Sequence, residues 1–92
     1  MKLTEKYPFF MITFPSVHHA LKFESKLKGT GINFQLVPVP REISSSCGVA
    51  AKVEGMIENE ICDFIEKNSI EYDAVYAYDA PKQKPRLVKA IE

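Results

Sequence analysis

Tryptophan is absent, cysteine and histidine occur twice each, and only four glycines are spread over 92 residues. Two cysteines cannot build the disulfide framework of a small secreted scaffold, so the fold must rest on an apolar core. No CxxC or HxxxH spacing occurs, and no metal or other cofactor is expected. Excess charge is also missing. Twelve Lys/Arg balance twelve Asp/Glu, so no global field draws in nucleic acid or an anionic membrane, and neither is expected as a partner. The apolar run from Phe9 to Phe14 falls far short of the roughly 20 residues that cross a bilayer. It is bounded by prolines and lacks a small-residue cleavage site, so the opening "MKLTEKYPFFMITFP" does not read as a signal peptide. The expected location is the cytoplasm, where Cys47 and Cys62 stay free thiols.

What is present is ordinary for a globular chain. With 46% hydrophobic and 26% charged residues, one domain over residues 1–92 is expected, with a core at 8–78 and a tail at 79–92. "FFMITF" (9–14) is apolar on both parities, the mark of a strand buried on both faces. After Pro15, Ser16 is the expected N-cap of a helix whose Ala20, Phe23 and Leu27 share a face, with Val17 and Leu21 at its margins. Gly29 and Gly31 end it. "INFQLVPV" (32–39) alternates as a strand, and Pro38 suits a sheet edge. "VAAKVE" (49–54) is a third strand. A second helix is expected over 55–69, with a buried stripe of Ile57, Ile61, Phe64 and Ile65. "EYDAVYAY" (71–78) is a fourth strand, with Tyr72, Tyr76 and Tyr78 on one face as core or dimer interface. The closing "RLVKAIE" reads equally as helix or strand.

The order β-α-β-β-α-β predicts an α+β fold. It would be a ferredoxin-like split sandwich, an antiparallel four-stranded sheet with two helices on one face. Strands one and three would be central, and two and four would be edges. That topology brings the start of the first helix (Ser16, His18, His19) to the same end of the sheet as the loop "REISSSCG" (41–48).

This loop carries the chemistry. It is longer than a hairpin requires, and it holds a cysteine, three serines and a glycine. A cysteine near a helix N-terminus, a histidine or Arg41 meets positive charge that favours the thiolate. The hydroxyls of Ser44, Ser45 and Ser46 and an accessible Gly48 amide could cradle a thiolate, a persulfide or a small anion. The plainer alternative is that Cys47 packs as a small apolar group at a strand start. Either His18 or His19 could approach it. Arg41 is the obvious anion clamp, Arg41 and Glu42 could also pair with each other, and Cys62 reads as filler beside the second helix's buried stripe.

"ITFPSVHHALKFE" followed by "VPVPREISSSCGVA" resembles the bacterial putative selenium/sulfur carrier protein-like family, first filed as a domain of unknown function. The likeness covers about residues 8 to 78. Pro40, Arg41, Glu42, Ser44, Ser45, Ser46, Cys47 and Gly48 match the family's signature, and His19 takes its "H-A-L" position. The resemblance implies a carrier or relay, more than a stand-alone enzyme, that holds sulfur or selenium on Cys47 as a persulfide or perselenide. Ser44, Ser45, Ser46 and Gly48 would then bind the chalcogen, with Arg41 and His19 supplying positive charge. The implied partners are donor and acceptor proteins, and open sheet edges are compatible with a homodimer. Two other readings stand beside it: an anion- or small-molecule-binding regulatory module with the cysteine incidental, and a Cys–His hydrolase or reductase, which needs a third group to orient its histidine.

Overall fold

The first strand, β1 (Phe9–Thr13), has all five residues buried, because alternate side chains leave a strand on opposite faces and both faces here are covered. The computed structural model describes residues 8–43, 48–80 and 83–90. Around β1 the other elements follow as α1 (Val17–Leu27), β2 (Asn33–Pro38), β3 (Val49–Glu54), α2 (Glu58–Lys67), β4 (Ala74–Tyr78) and β5 (Arg86–Ala90). They form one α+β unit with a five-stranded antiparallel sheet in the order β2-β3-β1-β4-β5.

Both helices lie on one face. Ala20, Phe23 and Leu27 of α1 and Ile61 and Ile65 of α2 join Phe10, Ile12, Val53 and Val75 in the main core. Thr13, a fully buried polar residue, donates its hydroxyl to the Ala74 carbonyl, so no polar atom is orphaned there. Ser16 does occupy the N-cap of α1, but its carbonyl accepts the first helical bonds while its hydroxyl goes to the His19 ring.

Several expectations change. The sheet has five strands, not four, because "RLVKA" pairs with β4 as β5 and turns β4 from an edge into an interior strand. Arg86 holds this added strand by donating two hydrogen bonds to Asp79 and by pairing with Glu58, while Lys89 reaches Glu66. The Arg86 fork keeps the Asp79 carboxyl below its usual range. Helix α2 starts only at Glu58, so Ile57 sits at its cap, 58% exposed, outside the expected stripe. The Glu60 carboxylate accepts the Ile57 backbone N–H there, half of a capping box. The tyrosines do not share a face. Tyr72 precedes β4 and packs into the helix-side core, whereas Tyr76 and Tyr78 belong to the opposite side of the sheet.

That opposite side has a core of its own, made by Phe9, Met11, Ala50, Tyr78 and one residue from outside the strands, Ile43. The β2–β3 connection reaches it by folding back. Val39 donates its N–H to the Gly48 carbonyl, and a tight turn then closes with Ile43 donating to Pro40. Ile43 is 5% exposed. Beside it the Tyr78 hydroxyl donates to Glu42, the Tyr78 ring stacks on Phe9 at 4.8 Å, and Lys52 lies over the other aromatic at 4.6 Å from its centroid. Glu42 is thus bound to Tyr78 and not dedicated to Arg41.

Truncating Ile43 to Ala empties this second core and should destabilise the protein by about 2–4 kcal/mol in urea unfolding, whereas Ile57→Ala should cost less than about 0.5 kcal/mol. The Tyr78 pair gives a pH signature. Burial first, then the Glu42 bond and charge, raise the Tyr78 hydroxyl above the ordinary tyrosine value of 10.0. The folded state therefore keeps its proton longer than the unfolded chain does. That contribution is complete below about pH 10 and is lost above it at up to about 1.4 kcal/mol per pH unit. Unfolding curves from pH 8 to 11 should show this alkaline slope in the wild type and a flatter one in Tyr78→Phe.

Candidate functional site

Strand register defines which segments meet. Thr13 at the end of β1 lies opposite Ala50 at the start of β3 and Ala74 at the start of β4, and Val49 lies opposite Pro38 at the end of β2. The start of α1, the β2–β3 connection and the turn into β4 therefore share one end of the sheet. Asp73 seals the third segment to the first by donating its N–H to the Thr13 carbonyl at 2.7 Å.

Ser44, Ser45, Ser46 and Cys47 lie outside the described residues, bracketed by Ile43 and Gly48. Both brackets are well placed. Ile43 is sunk in the core on the helix-free face. Gly48 lines an apolar depression of about 310 Å³ together with Val17, Ala20 and Leu21 of α1, Leu36, Val37 and Pro38 of β2, and Val49. The first turns of α1 and the end of the cysteine loop thus share a wall, as the topology argument requires of the segments that carry them.

Gly48 differs from the other glycines. Gly29, Gly31 and Gly55 have positive φ, the conformation that favours glycine. Gly48 instead borders the depression, and a Cβ added there would meet nothing within 4 Å among the described residues. What the missing side chain leaves is an exposed backbone beside an apolar hollow, open to an approaching group.

The cationic candidates separate. Arg41 is exposed on the turn just before Ile43. His19 is committed elsewhere: its Nδ1 meets the Ser16 hydroxyl at 2.8 Å and its Nε2 meets a Glu71 carboxylate oxygen at 3.1 Å. A proton on Nε2 lets the ring donate to Glu71, while Nδ1 shares a hydrogen bond with the Ser16 hydroxyl. Glu71 supplies an orienting carboxylate that no sequence spacing signals. His19 also lines a second cavity, on the other flank of α1 from the Gly48 depression. His18 is exposed, its ring edge-on to that of His19.

Cys62 is partly buried against the main core. Burial pushes its thiol up; Lys89 opposes this while Glu58, Glu66 and Asp63 add to it. That makes it a poor thiolate former near neutral pH. Among the described residues no group of three His, Cys, Asp or Glu is placed to hold a metal ion, and no helix is long and apolar enough to cross a membrane.

Around the loop, sequence reading passed over Ile43 and the bond between Glu42 and Tyr78. An isolated isoleucine between charged and serine residues gives no periodic signal, and the Tyr78–Glu42 bond spans 36 positions.

No curated protein and no solved structure matches the chain. A family model does, over residues 9–77, from β1 through the cysteine loop to β4: the chain belongs to the putative Se/S carrier protein-like family.

Proposed function

We propose that the protein is a sulfur or selenium relay in which Cys47 carries the chalcogen between a donor and an acceptor protein. The observation that carries the reading is the setting of Gly48, which is exposed at the rim of an apolar depression and stands next in sequence to Cys47. Membership of a carrier-like family supports it.

In this reading the Cys47 thiolate attacks the outer sulfur of a donor's persulfide. A new S–S bond forms on Cys47, the donor's own S–S bond breaks, and the donor leaves as a thiolate, with no net oxidation or reduction. The product is an anion that needs hydrogen-bond donors, supplied by Ser44, Ser45, Ser46 and the Gly48 amide. Arg41 and His19 are the cationic residues assigned to the site. Arg41 comes first, being in the loop itself, whereas His19 already answers to Glu71. Such a relay needs no general acid–base set, works in a reducing compartment such as the cytoplasm, and requires only docking surfaces for its partners. The depression bordered by Val17 and Leu21, which are 50% and 51% exposed, offers one. The β2 edge leaves room for self-association as a homodimer. The fold proposed for this role is a ferredoxin-like unit, β2-β3-β1-β4 with its two helices, extended by β5.

Intact-protein mass spectrometry after incubation with cysteine and a cysteine desulfurase, without reductant, tests the proposal. A one-sulfur adduct is expected on the wild type and on Cys62→Ser, and none on Cys47→Ser. Absence of an adduct on the wild type, with the desulfurase active toward another acceptor, would overturn it.

A further inference from the structure

A second cavity, of about 250 Å³, lies between α1 and the turn that leads from α2 into β4. Phe23 and Ile70 give it an apolar floor, Lys22 and Lys26 stand one helical turn apart on one wall, and His19, Ser69 and Glu71 complete it. Its polar groups are held in place. His19 is fixed between Ser16 and Glu71. Lys26 donates one of its three ammonium protons to the Asn68 carbonyl at 2.6 Å, which anchors the side chain and leaves two protons for a ligand. Lys22 has no ion-pair partner among the described residues. The two lysines outnumber the one carboxylate, Glu71, and leave this wall positive.

Ser69 adds an independent observation. It is the only residue other than glycine with a positive φ, 51°, among the described residues. It sits just past the end of α2, where Ser69 donates to the Glu66 carbonyl and Ile70 donates to the Ile65 carbonyl. This is the helix-ending motif whose left-handed position glycine normally takes, because a Cβ is strained there. The chain accepts that strain, and the side chain it retains lines the cavity. Backbone strain of this kind collects where a side chain has a use.

We propose that this cavity is a binding site for a small organic anion. A carboxylate or phosphate group would sit between Lys22 and Lys26 within reach of the Ser69 hydroxyl, and an apolar body would rest on Phe23 and Ile70. The site shares no lining residue with the Gly48 depression and does not depend on the relay reading, so Cys47→Ser retains it.

Amide-resolved NMR titrations with phenyl phosphate, benzoate and the cationic isostere benzamidine test it. Saturable shifts at residues 19, 22, 23, 26 and 69–71 are expected for at least one anion, with a dissociation constant on the order of 1 mM, ordinary for ligands this small. The head group that binds identifies the carboxylate or the phosphate class. Lys22→Gln with Lys26→Gln should weaken binding about tenfold, as loss of charge-assisted hydrogen bonds does. Ser69→Gly should raise the melting temperature yet weaken binding about threefold, a trade that a purely structural serine would not show. The proposal fails if neither anion shifts these amides, if benzamidine binds as well as benzoate, or if affinity survives the double lysine change or Ser69→Gly.

Discussion

Everything in this fold answers to the double burial of β1. A strand that is apolar on both faces must be covered twice, and the described residues form two helices, both on the same side. The uncovered face exposes Phe9, Met11, Ala50 and Tyr78 to whatever else the chain can bring. Ile43 does part of this from the β2–β3 connection, and Glu42 locks the connection to Tyr78. Burying a side chain of this size stabilises by about 1.5–3 kcal/mol, a large share of the margin that keeps a small domain folded. The loop that bears the serine–cysteine signature is therefore also part of the cover of a core.

That dual duty explains why the loop is longer than a hairpin needs. A two-residue turn could join β2 to β3, but it could not carry an isoleucine back across the sheet. Ile43 and Gly48 then hold the two ends of the serine–cysteine stretch, one in a core and the other at the rim of a hollow. Loops are positioned by the rigid scaffold they join, and this loop is tied to the scaffold at both ends of its serine–cysteine stretch.

How much of this was legible in the sequence follows from how far apart the interacting residues are. The both-parity run at 9–14, the 3.6-residue stripe of α1 and the alternation of β2 are local patterns, and each produced its element within a residue or two. The tail failed for a physical reason: "RLVKAIE" has too few apolar positions to choose a period, and what makes it a strand is an unpaired β4 edge together with Asp79, Glu58 and Glu66. Tyr72 went to the wrong face because β4 begins only at Ala74, after Asp73 has bonded to Thr13. Of the site, the meeting of α1's start with the end of the loop could be deduced from topology alone. The pairing of His19 with Glu71 could not, since Glu71 lies far along the chain, at the end of a different crossover.

The division of α1 into two flanks is the last consequence of the topology. Crossing from β1 over β3 to β2, α1 turns one flank toward the β2 edge and the other toward α2 and the start of β4. Val17 and Leu21 border the apolar hollow by Gly48, while His19, Lys22 and Lys26 border the polar cavity by Ser69. The buried stripe of Ala20, Phe23 and Leu27 runs between them and fixes both at once. One helix therefore forms a wall of both surfaces. Packed interiors do not deform freely, so the same three turns set the positions of two surfaces of opposite chemistry.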